Sequence, residues 1–116
     1  MPLAYGRWDE AARARAALGP VQKNARASAA FAGPGAYDPP ATREALSRFT
    51  GEVLVLAGEL DSNPSPALAA RLAELFARGV ADVQPGGAHL PWLDDGTWFA
   101  PRVERCLKNR RLRTGV

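Results

Sequence analysis

Val-Leu-Val-Leu-Ala at residues 53–57 is the stretch that decides the fold, a continuous apolar run bounded by Gly51 and Gly58. Side chains alternate between the two faces of a strand, so this run places apolar groups on both faces. A strand that is apolar on both faces is typical of a parallel sheet covered by helices. The run therefore predicts a strand of an α/β fold at about residues 52–57.

A helix and a second strand are predicted after this run. Ser65 followed by Pro66 is a typical helix start, with serine as N-cap and proline at the first helical position. Gly79 is predicted to end this helix. Its apolar stripe has the spacing i, i+4, i+7, i+8 and consists of Leu68, Leu72, Leu75 and Phe76. A short strand at 80–84 follows, and the order strand, helix, strand predicts a right-handed parallel crossover.

A last helix is predicted after the loop at residues 86–96. One face of it carries apolar side chains, namely Phe99, Val103, Cys106 and Leu107. Pro101 predicts a late start or a kink, because proline lacks an N–H and crowds the preceding turn. Asp94 and Asp95 are interpreted as N-caps of this helix, and Trp98 and Phe99 as core residues.

Residues 1–50 form a different kind of segment, with short helices separated by proline and glycine. Asp9 is predicted to cap the first helix and Gly19-Pro20 to end it, with further helical segments at 21–31 and 41–49. Large apolar side chains are few here. The segment is therefore predicted to be a helical covering over another layer, followed by a core at 51–107 and a basic tail at 108–116.

Charge and composition exclude several classes of function. The net charge is +3, but residues 102–116 alone carry six basic residues against one acid, so residues 1–101 sum to −2. This basicity belongs to the tail, whereas nucleic-acid binding needs a basic folded face or interleaved aromatic residues, and no nucleic-acid partner is predicted. With one cysteine and one histidine, an intrachain disulfide is impossible and no metal or cofactor is implied.

The chain also has no apolar run of membrane-spanning length and no signal-peptide pattern at its start. These features predict a cytoplasmic protein without a membrane partner. The abundance of alanine and arginine, with only Lys23 and Lys108 as lysines, is typical of a GC-rich bacterial genome.

Two loops carry the candidate chemistry, and each follows a predicted strand. The first holds Asp61 and the second holds His89, the one histidine of the chain. Parallel strands end at the same edge of a sheet, where α/β proteins place their ligands, so we expect the two side chains to lie close together. A carboxylate that accepts from imidazole Nδ1–H fixes the tautomer and supports proton uptake at Nε2.

These loops resemble those of the α/β-hydrolase family. The resemblance covers about residues 51–107, more weakly the family's cap region at 1–50, and rests on Gly58-x-x-Asp61 and on Gly86-Gly87-Ala88-His89. Ala88 stands where the family more often has glycine. The resemblance implies that Asp61 is the acid and His89 the general base of a Ser-His-Asp hydrolase, in the family's chain order.

The family's nucleophile motif, G-x-S-x-G, does not occur in this sequence. The prediction is therefore an incomplete α/β-hydrolase fold: the C-terminal portion of an enzyme that hydrolyses an ester, amide or similar bond in a small-molecule substrate. The gene would be truncated, split or misannotated, and the portion inactive alone. Its partner would be an N-terminal hydrolase half or a second copy. The alternative is a non-catalytic binding or pairing module, or an inert remnant.

A few other residues have two possible roles. Trp92 is a candidate for binding substrate, with plain packing as the equal alternative. Glu59 is a less favoured alternative acid. It lies two residues before Asp61, and its side chain is expected to point in a different direction. Tyr5 and Trp8 are candidates for facing substrate from the cap, with packing as the favoured role. Cys106 is interpreted as a structural residue of the last helix.

Overall fold

The computed structural model describes residues 2–111 of the chain. After a short 3-10 turn at Pro2–Ala4, the elements follow in this order: α1 (Glu10–Gln22), α2 (Ala25–Phe31), α3 (Pro39–Ser47), β1 (Val53–Gly58), α4 (Pro66–Ala73), β2 (Gly79–Gln84), α5 (Pro91–Asp94) and α6 (Gly96–Arg111). Within this part of the chain, no helix has both the length and the apolarity needed to cross a membrane.

β1 and β2 form a two-stranded parallel sheet in the described residues. The register runs from Val53 opposite Gly79 to Gly58 opposite Gln84. The predicted α/β class, with two parallel strands and flanking helices, is confirmed, and the strand bounds differ from the prediction by about one residue. The parallel pairing brings the carboxyl ends of both strands to one edge of the sheet.

α4 begins as predicted, but its packing face and its end are different. The Ser65 hydroxyl accepts from Leu68 N at 3.3 Å and caps the helix. Two alanines face the sheet, Ala69 at 1% and Ala73 at 4% exposure. Small side chains there let the helix backbone approach the strands closely. The predicted apolar stripe is therefore not the buried face of the helix.

The exposed fractions of the first two stripe residues make the correction clear, since Leu68 is 52% and Leu72 is 39% exposed. Gly79 is also not a helix terminator, because α4 ends at Ala73 and Gly79 is the first residue of β2. Its role is steric. A Cβ at Gly79 would overlap the carbonyl oxygen of Ala73, so only glycine allows β2 to start this close to the end of α4.

The three N-terminal helices begin at side-chain caps. Asp9, Asn24 and Asp38 each accept from the backbone N–H three residues further on, at distances of 2.9 to 3.1 Å. The predicted stop at Gly19-Pro20 is wrong, because α1 continues to Gln22 with proline inside it. Proline in the last turn removes a single helical hydrogen bond, so the break comes at the Asn24 cap instead.

Residues 1–50, predicted to be a helical covering, are largely exposed where the structure describes them. Ala12 is the one buried residue of α1, and α2 and α3 bury none. Two large apolar side chains of the segment face solvent, Phe31 at 72% and Tyr37 at 61% exposure. The radius of gyration is 16.7 Å, against about 13 Å for a compact domain of this length. Large apolar side chains are too few and too scattered in this segment to close a core.

α6 packs against the sheet on the side opposite α4. Arg102 ties it there: its Nε lies 2.9 Å from Asp82 Oδ2, and its guanidinium lies 3.5 Å from the centre of the Trp98 ring. Trp98 and Phe99, predicted as core residues, are only half-buried, because few large side chains lie over this face.

The start of α6 also differs from the prediction. The helix begins at Gly96 with Pro101 inside it. Of the two effects expected from Pro101, a late start or a kink, the late start is therefore wrong. Asp95 Oδ1 accepts from the N–H groups of Thr97 and Trp98, both at 3.1 Å, and acts as the N-cap that nucleates the first turn. The Thr97 hydroxyl also donates to Asp95. This bond, followed by the one from Trp98 N–H, lowers the pKa of the Asp95 carboxyl below its usual range.

Candidate acid–histidine site

Asp61 and His89 meet at the carboxyl edge of the sheet. Asp61 lies just after β1 and His89 just after β2, and Asp61 Oδ2 is 3.0 Å from His89 Nδ1. The expectation that these two side chains lie within hydrogen-bond reach is confirmed. Parallel pairing in register is what brings residues 28 positions apart into contact.

The Asp61 carboxylate is held on both oxygens. Oδ2 faces the imidazole, and Oδ1 accepts from Asn63 N at 2.9 Å. The side chain is 8% exposed, so the carboxylate is nearly buried and oriented before any ligand arrives. Asn63 was not predicted to take part. An aspartate that bonds the backbone two residues on is a common turn pattern, which could have indicated it.

The His89 imidazole is more open to solvent, with 53% of its side chain exposed. The neutral tautomer that fits the contact carries its proton on Nδ1 and donates it to the carboxylate. Nε2 is then left as an acceptor with a free lone pair. The pair can take a proton from a group that approaches Nε2, and Asp61 stabilises the imidazolium that forms.

A depression of about 500 Å³ opens beside the pair, between β1 and α6. Its lining is mostly apolar and comprises Leu54, Leu56, Ala57, Gly58, Asp61, Pro64, Ala88, His89, Pro91, Trp92, Phe99, Val103, Cys106 and Leu107. Trp92 is half exposed, and its ring stacks edge-on against Phe99 at 6.0 Å. Trp92 thus both packs and lines the depression, which leaves both of its predicted roles in place.

The described residues lining this depression include no serine or threonine. Ser62 follows Asp61 in the chain and is exposed, while the hydroxyl of Ser65 caps α4. Cys106 is the one cysteine of the described lining. It also borders the neighbouring cavity with Glu52 and Val53, at the opposite end of β1.

Asp94, predicted to be an N-cap of α6, has a different role. Its Oδ2 accepts from Ala88 N at 2.8 Å and its Oδ1 accepts from Gly6 N at 2.9 Å. Asp95 alone caps α6. No local signal separates the two adjacent aspartates, because the partners of Asp94 are 6 and 88 positions away along the chain.

Glu59 contacts the loop that carries His89, residues 86–89, which we call the histidine loop, but it does not contact the imidazole. Its Oε2 accepts from Gly86 N at 2.8 Å, so it holds the loop backbone rather than serving as the acid. Gly86 has a φ of +65°, a left-handed conformation that suits glycine and lets the chain turn sharply after β2.

The part of the chain that the structure describes contains no cluster of three or more histidine, cysteine or acidic side chains that could hold a metal ion. What the site offers is an oriented carboxylate, an imidazole and an apolar depression beside them. Comparison of the chain with protein-family models, with curated proteins and with solved structures finds no match in any of the three.

Proposed function

We propose that Asp61 and His89 are the acid and the general base of a hydrolase of the Ser-His-Asp type, and that this chain corresponds to the C-terminal portion of an α/β-hydrolase. The observation that carries the proposal is the 3.0 Å contact between Asp61 Oδ2 and His89 Nδ1 at the carboxyl edge of a parallel sheet. The burial of Asp61 and the motifs around both loops support it further.

In this mechanism His89 Nε2 takes the proton of a hydroxyl nucleophile as that oxygen attacks the carbonyl carbon of the substrate. The imidazolium then gives the proton to the leaving group as its bond to carbon breaks. Asp61 keeps Nδ1 protonated and is not itself protonated. The nucleophile would come from an N-terminal half that carries it, because the described lining of the depression holds no hydroxyl side chain.

The tautomer of His89 tests the arrangement directly. In alkaline solution, where imidazole is neutral, we expect wild-type His89 to carry its proton mainly on Nδ1, and Asp61→Ala to shift most of it to Nε2. Ring ¹⁵N and ¹³C chemical shifts measure this without overlap, since the chain has one histidine. Asp38→Ala, which removes the cap of α3, is the control and should change nothing at His89. A wild-type imidazole protonated mainly on Nε2 would contradict the proposal.

The activity of the chain alone provides a second test. We expect its hydrolysis of simple activated esters to equal that of His89→Ala, and we expect no serine to react with a fluorophosphonate probe. A general base accelerates nothing without a nucleophile to activate. Mass spectrometry after probe treatment identifies any labelled residue. Specific labelling, with Ser62 as the first suspect, would show that this chain carries its own nucleophile.

A non-catalytic role is the second candidate: a binding or pairing module, or an inert remnant of hydrolase origin. The absence of a hydroxyl from the described lining of the depression favours it. The DNA that precedes the Met1 codon discriminates between the two. A G-x-S-x-G segment in the same frame or in an adjacent gene supports the enzyme, and unrelated sequence supports the remnant.

A further inference from the structure

The contact between Asp61 and His89 needs support from elsewhere in the molecule. Asp61 is nearly buried, but the imidazole is 53% exposed, and a side-chain contact with an exposed partner contributes little by itself. Its geometry therefore depends on how firmly the backbone before His89 is held. That backbone belongs to the histidine loop, residues 86–89.

Besides the turn bond from Gly87 N to Gln84 O at 3.2 Å, three hydrogen bonds join this loop to neighbouring segments, one at each residue before the histidine. Gly86 N donates to the Glu59 carboxylate at 2.8 Å, and Gly87 O accepts from Leu60 N at 2.8 Å. Ala88 N donates to Asp94 Oδ2 at 2.8 Å. The first two bonds come from the loop after β1, which also carries Asp61. The third comes from α5 and acts on the peptide nearest to His89.

The bond from Ala88 is also the best protected. Ala88 is 1% exposed, and a hydrogen bond between a carboxylate and a buried N–H is stronger than one between neutral groups. The second oxygen of Asp94 accepts from Gly6 N at 2.9 Å. One carboxylate thus joins the histidine loop to the N-terminal segment, which is 88 positions away along the chain.

We propose that Asp94 is the positioning residue of His89: by holding Ala88 N it fixes the backbone immediately before the histidine, keeps Nδ1 on Asp61, and couples the Gly6 segment to the acid–histidine pair. Its meaning for catalysis rests on the proposed function. The positioning itself is a property of the folded chain and is measured without turnover. The competing explanation is that Asp94 only fastens the N-terminal segment to α5.

Two measurements on the folded protein separate these explanations: the tautomer of His89 and the hydrogen exchange of the Ala88 amide. We expect Asp94→Ala to speed exchange at Ala88 by about tenfold to a hundredfold, the value of a lost hydrogen bond to a charged group. In the same variant we expect the fraction of His89 that is protonated on Nδ1 to fall well below the wild-type value. Asp94→Asn keeps one acceptor oxygen, so its exchange rate and tautomer population should lie between those of the wild type and of Asp94→Ala. It also serves as the test variant if Asp94→Ala does not fold.

The matched control is Asp95→Ala, which removes the neighbouring carboxylate and the same charge but touches only the start of α6. It should leave the His89 tautomer unchanged. Gly6→Ala tests the coupling, because a Cβ there would lie 3.0 Å from the Asp94 carboxylate and overlap the Gly86 carbonyl oxygen. We expect a smaller tautomer shift in the same direction as that of Asp94→Ala.

The outcomes distinguish this inference from the proposed function. A wild-type histidine protonated mainly on Nε2 contradicts the proposed function. A second outcome is that wild-type His89 is protonated on Nδ1, and Asp94→Ala speeds exchange at Ala88 without changing the tautomer. Asp94 then only attaches the N-terminal segment to α5, and the positioning role is wrong. A tautomer shift in Asp95→Ala as large as that in Asp94→Ala would also overturn it.

Discussion

Gly58→Ala is expected to break the contact between Asp61 and His89 and to destabilise the chain by about 3 kcal/mol or more, at or above the upper end of overpacking. Gly58 is the last residue of β1 and is buried. A Cβ there would overlap the carbonyl oxygen of Ala88 and the peptide of Gly87. The histidine loop thus lies directly on the Cα of Gly58, and its backbone has no room to move aside.

Chemical denaturation measures the loss of stability, and the ring shifts of His89 measure the loss of the contact. Gly19→Ala is the matched control, since a Cβ at Gly19, inside α1, would meet nothing within 4 Å. It should be neutral or stabilising by about 0.5–1 kcal/mol, the usual gain for alanine over glycine in a helix. If Gly58→Ala behaved like Gly19→Ala, the close packing of the histidine loop on β1 would be refuted.

The second large effect concerns association. We expect the purified chain to be oligomeric, aggregated or partly molten at low micromolar concentration, and we expect an added N-terminal hydrolase half to rescue it. In the described residues β1 pairs with β2 on one edge and with no strand on the other. Val53 N and Glu59 N donate toward β2. By the alternation of a strand, the N–H groups of Leu54 and Leu56 point to the open edge, which is a template for another strand.

The accessible surface supports the same expectation. It is 8697 Å², whereas a compact monomer of this mass exposes about 6,100 Å². The excess of about 2,600 Å² is as large as the area buried in many permanent interfaces. Exposed apolar side chains occur both in the N-terminal segment, where Phe31 is 72% exposed, and at the depression, where Trp92 is 50% exposed.

Sedimentation together with chemical denaturation tests the association. Leu54→Pro removes an outward N–H and should reduce self-association, because it blocks the open edge without breaking the pairing of β1 with β2. Val55→Pro is the matched control; it removes an N–H that donates toward β2 and should unfold the sheet. A monodisperse wild-type monomer with a steep, cooperative transition would mean that the chain is a complete small domain. The proposal of a hydrolase portion would then have to be abandoned.

Local pattern was sufficient to predict the elements of the sheet and the residues that meet at its edge. The apolar run at 53–57, the Ser65-Pro66 start and the short strand near 80–84 each encode their structure within a few residues. When two parallel strands are joined by a helix, the loops that follow the strands must lie at the same edge of the sheet. For that reason Asp61 and His89 could be expected to meet before their distance was known.

The packing partners could not be predicted in this way, because they depend on which surfaces meet in three dimensions. The face of α4 that touches the sheet is set by how closely Ala69 and Ala73 allow the backbones to approach, not by the leucine stripe. The adjacent carboxylates of Asp94 and Asp95 are equivalent in sequence. They are separated only when folding brings the N–H groups of Gly6 and Ala88 to one of them. A hydrogen bond across 88 positions has no local pattern, since the chain between its ends must first fold to create it.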